Sequence, residues 1–389
     1  MKIVFISNFL NHHQIPICEA FSNVPNVEFI FIATEKVPKD RIKLGYKQDF
    51  AGLPYYIEAR EENIADVEEI CFNSDALIFG SAPMRFIKRR LKARKLTFSY
   101  NERWFKEGFW RHPGDILRAF KHFTLPSNKN YYQLCASAYT AGDSNRVFAF
   151  RGKKLRFGYF PEFQYHNDFD KHFAEKTPFS ILWVGRLIDV KHPEIVLDIA
   201  DKLKKDAVNC DIKMIGSGEL SDELQRDIHE RGLADCVQML GSMSPEAVRD
   251  NMDKSQIFLF TSDFREGWGA VLNEAMNSGC AVVASHAIGS VPYLINCGEN
   301  GYVYTNGDTE ELYSYVKKLL LDRELCKRLG LKAYSTIDKE WNANVAVSRL
   351  YEFCRAKLSS SPLPIYKAGP ISEDAGRVKK YGKFKHKKH

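Results

Sequence analysis

Several things are missing from this chain of 389 residues, and each absence narrows what it can be. No run approaches the roughly 18 uncharged apolar residues that a membrane-spanning helix needs, so no such helix is expected. The nine cysteines stand singly, an odd number without a C-x-x-C pair. That pattern argues against a disulfide framework or a zinc site and for reduced, buried thiols in a cytosolic protein. Met1-Lys2-Ile3 leads straight into a short apolar run ending at a polar loop, too short for a signal peptide, so a cytoplasmic location is expected. Acids are missing from the carboxyl end, where residues 377–389 hold seven Lys or Arg and no Asp or Glu. The formal net charge of +7 therefore belongs to that tail, and residues 1–376 sum to zero. A uniformly basic nucleic-acid binder is not indicated.

What is present describes an ordinary globular protein, 44% hydrophobic and 27% charged. Its length suggests two domains, since single cores rarely grow past about 250–300 residues. Short apolar runs at 3–7, 27–33, 76–79, 95–100, 132–136 and 155–159 predict strands, with helical patterns around 13–21 and 85–94. Residues 161–178 have no clear period and read as a linker. A second, more regular series follows, with strands at 180–184, 211–215, 236–240, 257–260 and 280–284. Helical patterns alternate with them around 192–204, 219–231, 245–253, 270–278 and 309–321. Almost wholly apolar strands alternating with helices argue for parallel sheets covered on both faces. The predicted α/β architecture is two Rossmann-like domains, 1–165 and 179–338, joined by a linker at 166–178. A helix at 339–358 and a basic, low-complexity tail at 359–389, expected to be disordered, complete the chain.

Residues suited to chemistry concentrate in the second half. After the strand at 180–184 comes Gly185-Arg186-Leu187-Ile188-Asp189-Val190-Lys191. Two cations beside a helix start, at the mouth of a parallel sheet, suit a diphosphate. The strand at 211–215 ends in Gly216-Ser217-Gly218-Glu219, whose glycines let backbone amides approach a phosphate or base. The third Gly of a dinucleotide fingerprint is replaced by Ser221. After 257–260, Glu266-Gly267-Trp268-Gly269 precede a helix bearing Glu274. Those glycines free amides for an anion, helped by the helix dipole, and the two carboxylates would reach different parts of one ligand.

Taken in order, Val184-Gly185-Arg186…Lys191, Ile215-Gly216-Ser217-Gly218, Leu240-Gly241 and Glu266-x7-Glu274 followed by Ser278-Gly279-Cys280 resemble the family 4 retaining glycosyltransferases, of GT-B fold. The resemblance covers roughly residues 180–321, with Trp341 and Tyr351 in the final helix. It implies two domains facing a central cleft and a carboxyl-terminal helix crossing back. Arg186 and Lys191 would neutralise the donor's diphosphate and stabilise the leaving group, so no metal and no cofactor beyond the nucleotide sugar is expected. Glu274 would hold the ribose hydroxyls, Glu266 would contact the donor sugar, and the Gly267, Trp268 and Gly269 amides its hydroxyls or the phosphate. The first half departs from the family pattern: Asn8-Phe9-Leu10-Asn11-His12-His13 stands where many members have a Gly pair. Asn11, His12 and His13 are candidates to face acceptor or donor, and Glu102 stands where members often have a sugar-contacting His. Asp168-Phe169-Asp170 resembles a metal-binding triplet but lies in the aperiodic linker, and reads as solvated charge.

A second electrostatic feature lies at residues 85–123, with 12 Lys or Arg against Glu102, Glu107 and Asp115, interleaved with Trp, Phe, Ile and Leu. Cations mixed with aromatics suit an anionic membrane surface or an anionic lipid-linked acceptor. The reading is thus a retaining glycosyltransferase moving a sugar from a nucleotide-diphosphate donor to a glycan or lipid-linked hydroxyl, peripheral at the inner membrane face, with no nucleic-acid partner. Alternatives are a nucleotide-sugar epimerase of the same fold, or a non-catalytic membrane- or polyanion-binding protein.

Overall fold

A computed structural model describes residues 1–39, 42, 49–50, 52–376 and 378. They form two compact units, Met1–Glu162 with Glu340–Val378, and Phe163–Lys339. In the first unit β1 (Lys2–Ser7), β2 (Glu28–Ala33), β3 (Tyr56–Glu58), β4 (Ala76–Phe79), β5 (Leu96–Asn101), β6 (Tyr131–Cys135) and β7 (Lys154–Arg156) make a parallel sheet. Its order is β3-β2-β1-β4-β5-β6-β7. Apolar runs such as Ile3–Ile6 and Ala76–Phe79 are buried along their length, as strands covered on both faces must be. Strand order reverses between β1 and β4, so their carboxyl ends part and leave a crevice. There the loops approach closely: a Cβ on Gly80 would meet Ser7 Oγ at 2.8 Å.

The second unit is a six-stranded parallel sheet of β8 (Ser180–Val184), β9 (Asp211–Ile215), β10 (Val237–Met239), β11 (Ile257–Phe260), β12 (Ala281–Ser285) and β13 (Tyr302–Tyr304). The order is β10-β9-β8-β11-β12-β13, and the reversal falls between β8 and β11. Its core gathers Trp183, Leu197, Met214, Leu259, Val283 and Leu329, none more than 1% exposed.

The two parallel α/β sheets are as expected. The strands β3 and β13, three residues each, and the helices Ile64–Asn73 and Arg323–Lys339 are additions. The stretch 161–178 is not featureless. It holds the helix Phe169–Ala174, whose amino end is capped by Asp168 Oδ1 accepting from the Lys171 amide at 3.0 Å. Asp170 pairs with Lys327 at 2.9 Å. After the helix Ala343–Leu358 the chain remains attached to the first unit. The Arg156 amide donates to Ser372 O, the Ile371 amide to Arg156 O and the Asp374 amide to Lys154 O, at 2.8, 2.8 and 2.9 Å. Residues 371–374 thus cover the open edge of β7, and Ile371, Ser372 and Asp374 are buried. The expectation of disorder from 359 therefore fails for these residues, because an unpaired strand edge offers them backbone partners. The basic residues from Arg377 on lie outside the described residues.

Candidate functional site

In an open parallel sheet, ligands bind outside the strand carboxyl ends where strand order reverses. In the second unit that point is the end of β8 and β11, and the two loops leaving it carry Arg186 and Lys191 on one side and Glu266 on the other. Lys191 and Glu266 form an ion pair, each side chain about five-sixths buried. Lys191 Nζ also sits 5.7 Å from the Phe260 ring centre. Arg186 is exposed at the head of its loop.

Two hydrogen bonds tie these loops together: the Asp263 amide donates to Val190 O at 3.1 Å, and the Thr261 hydroxyl Oγ1 donates to Lys191 O at 2.6 Å. Thr261 in turn accepts from the buried Trp183 indole at 2.9 Å. His192, with φ +49°, lies between Glu194 (2.9 Å) and Asp263 (3.4 Å). Hydrogen bonds to Asp263 and then Glu194 outweigh burial and raise its pKa to about 9, so it is an imidazolium at neutral pH. Arg265 donates to Asp263 and Asp189, both at 2.6 Å. His192, Asp263, Arg265 and Asp189 went unassigned in the sequence. The available signal was their opposite charge at two strand ends, visible only once β8 and β11 are known to be neighbours.

The third loop, after β9, packs against the first. Leu187 N donates to Ser217 O at 3.0 Å, and a Cβ on Gly216 or Gly218 would come within 1.8 Å of Gly185 O or 2.2 Å of Leu187 O. Only glycine fits at either position. Gly269 has φ +80°, and a Cβ there would strike the Phe260 ring at 2.4 Å. Trp268 lies between Gly267 and Gly269. Its side chain is fully buried, with Nε1 donating to Asn273 Oδ1 at 2.9 Å, so only its backbone can serve a ligand. Glu274 stands in the first turn of the helix Val271–Asn277, where the dipole favours a carboxylate. Burial nevertheless pushes its pKa up to about 7, against the pull of Arg249.

The first-unit candidates have local duties. Asn11 Oδ1 accepts from the His13 amide at 3.0 Å and Asn11 O from the Gln14 amide at 2.9 Å, a turn that starts the helix Ile15–Ser22. The His12 and His13 rings lie 3.8 Å apart, and burial, then His12, lowers the His13 pKa to about 3, so it is neutral. Glu102 accepts from Lys106 at 2.7 Å and from Tyr159 Oη at 3.0 Å. In residues 85–123 much of the apolar content is core: Phe86, Ile87, Leu91 and Phe105 are buried, with Trp104, Phe109 and Phe123 packed on them. Arg90 is not part of a cationic face. It is fully buried, and its guanidinium donates to the carbonyls of Cys71, Ser74 and Leu96 at 2.6–2.8 Å. Exposed side chains of this segment include Trp110 (81%), Leu117 (69%), Phe120 (39%) and Leu125 (67%), along with Arg111, Arg118 and Lys121. Lys88, Arg118 and Lys121 all act on His122, which locates them together.

Side chains able to hold a metal occur in the second unit away from these loops, where ligand atoms of His166, His172 and Asp253 lie within 4.8 Å of one another. Lys176, buried and held by four backbone carbonyls at 2.7–3.2 Å, stands close by and disfavours a second cation.

Comparison with known proteins bears on the second unit first. Residues 164–336 match the family described as Glycosyl transferases group 1. Among curated relatives, the amylovoran biosynthesis glycosyltransferase AmsK of Erwinia amylovora is 29% identical over 184 residues, 46% of this chain and 45% of that one. The alpha-D-kanosaminyltransferase of Streptomyces kanamyceticus is 31% identical over 153 residues, 39% of each chain. The chain thus matches less than half the length of these relatives. Among solved structures, Anabaena Alr3699/HepE in complex with UDP has a TM-score of 0.66 at 16% identity, covering 92% of this chain and 100% of that one. That likeness shows a shared two-domain fold.

Proposed function

From the resemblance of residues 164–336 to the glycosyl transferases group 1, we propose that the protein is a GT-B glycosyltransferase that moves a sugar from a nucleotide-diphosphate donor to an acceptor hydroxyl with retention of configuration. The observation that carries this reading is the convergence of Arg186, Lys191, Glu266 and three glycine-bearing loops at the reversal between β8 and β11. Arg186 and Lys191 face the diphosphate, and its negative charge, growing as the sugar–oxygen bond lengthens, is met by cations already in place. Lys191 exchanges part of its pairing with Glu266 for the phosphate, which frees Glu266 to accept from a sugar hydroxyl. Glu274 accepts from the ribose hydroxyls. This assignment needs no metal, because the charge is neutralised by side chains. The UDP held by the Anabaena neighbour makes UDP-sugars the first donors to try.

On the acceptor side, the exposed side chains of Trp110, Leu117, Phe120, Arg118 and Lys121 suit an anionic membrane surface, where a lipid-linked acceptor would be presented. The test is transfer from a panel of labelled nucleotide sugars to lipid-linked acceptors. Glu266→Ala and Arg186→Ala are expected to abolish it, and full turnover by either refutes the assignment. Donor conversion without any acceptor would favour the epimerase reading instead.

A further inference from the structure

The two groups that matter most in this reading, Lys191 and Glu266, sit on different loops, and nothing in either loop alone fixes the distance between them. A chain of alternating charges crosses the gap: Asp189, Arg265, Asp263, His192 and Glu194, joined at 2.6, 2.6, 3.4 and 2.9 Å. Asp189, His192 and Glu194 come from the β8 side, and Asp263 and Arg265 from the β11 side. Asp263 is the centre. Its amide binds Val190 O, next to Lys191, and its own carbonyl accepts the Glu266 amide at 3.1 Å. One residue therefore touches the backbone beside both catalytic candidates.

His192 completes the link at a conformational cost. It lies in the left-handed region, φ +49° and ψ +53°, where a glycine would be free and a Cβ is not. That geometry turns the imidazole so that one nitrogen meets Glu194 and the other Asp263. We propose that His192 and Asp263 are positioning residues, a charged clamp that holds the Lys191 loop and the Glu266 loop in register for transfer. The geometry stands by itself, while the consequence for catalysis rests on the function proposed above.

The charged and titratable groups around His192 are Glu194 and Asp263 in contact, with Asp189, Lys191, Arg265, Glu266 and Tyr304 beyond them. Burial opposes ionisation of Asp263, yet hydrogen bonds from His192 and Arg265 hold its pKa down to about 2. His192 therefore donates to both carboxylates through neutral pH, and in alkali it keeps one N–H and gives up one of the two hydrogen bonds.

Two measurements on the full chain test it. Side-chain NMR titration follows His192: it should stay protonated past pH 8, and Asp263→Asn should bring its midpoint down by at least one pH unit. A His192 that is neutral at pH 8, or is unmoved in Asp263→Asn, overturns the clamp. In kinetics, His192→Gln should lower kcat by about tenfold to a hundredfold, the range for a misplacement of about 1 Å. Donor KM should change far less, and the fall in rate as pH approaches 9 should disappear. Wild-type kcat with an unchanged alkaline limb refutes the catalytic role. If the wild-type chain transfers no sugar and binds no nucleotide, it is the proposed function that fails, and the titration still judges the clamp. Should His192→Gln fail to fold, the wild-type titration and Asp263→Asn decide.

Discussion

Gly218→Ala adds one methyl group at the point where two loops of the candidate donor site touch. The new carbon would lie 2.2 Å from Leu187 O, 2.7 Å from its carbonyl carbon and 2.9 Å from its amide nitrogen. These are backbone atoms with no rotamer to turn away, so the loops must part by roughly 1 Å to reach ordinary contact. Overpacking of this kind costs about 1–3 kcal/mol. Two hydrogen bonds span the same contact, Leu187 N to Ser217 O and Leu220 N to Leu187 O, both 3.0 Å. Weakening them adds up to about 1 kcal/mol each. For a unit of this size, roughly 2–4 °C of melting temperature goes with each kcal/mol, so a fall of about 2–20 °C is expected. The same displacement moves Arg186 relative to the Gly216–Gly218 amides, and kcat/KM should fall by about a hundredfold. Scanning calorimetry and donor kinetics measure the two effects. Gly114→Ala, inside the helix Pro113–Ala119 where a Cβ meets nothing within 4 Å, is the control: it should leave kcat/KM unchanged and should not lower the melting temperature. A Gly218→Ala protein with wild-type melting and wild-type kcat/KM would refute the reasoning.

Arg90→Met should destabilise the first unit by roughly 4 kcal/mol, because it strands three buried carbonyls at about 1–3 kcal/mol each with partial relief from water. Urea unfolding would show a lower midpoint, and an unchanged midpoint contradicts the buried-hub role. Glu274 is a carboxyl raised to about 7, so the unfolded chain releases its proton first and stability falls as pH rises from about 4.5 to 7. Relative to Glu274→Gln, the wild type should therefore lose stability across that window, and a constant difference would argue against it. Replacing Trp110, Leu117 and Phe120 together by Ser should release the protein from vesicles containing phosphatidylglycerol, while raising salt should weaken wild-type binding. Wild-type sedimentation by the Ser variant would dismiss this membrane contact.

Much of the second unit was legible in the sequence because its strands are continuous apolar runs closed by glycine-bearing turns. The bounds of β8, β9 and β11 agree to the residue. The three-residue β3 and β13 are too short for a period to show, and Phe169–Ala174 is a helix for which one cap, Asp168, was the local sign. Arg323–Lys339 hid for another reason: its inner face uses Gly330 and Ala333, and a Cβ on Gly330 would come within 2.3 Å of Gly279 O. Close packing by small residues dilutes the apolar stripe. Arg186, Lys191, Glu266 and the glycines, singled out in the sequence by order and spacing, lie on the loops leaving β8, β9 and β11. That the Trp268 side chain is buried against Asn273, leaving only its backbone to a ligand, was not legible because it depends on tertiary packing. His192 and Asp263 could not be paired by spacing, since 71 residues separate them.

Titration calorimetry with UDP tests most directly whether the loops between β8 and β11 form a nucleoside-diphosphate site. The account predicts saturable binding to the wild-type chain, weakened by about tenfold to a hundredfold in Arg186→Ala, the loss of one charge-assisted hydrogen bond. No heat from the wild-type chain with UDP or any other nucleoside diphosphate, or equal affinity in Arg186→Ala, would contradict it.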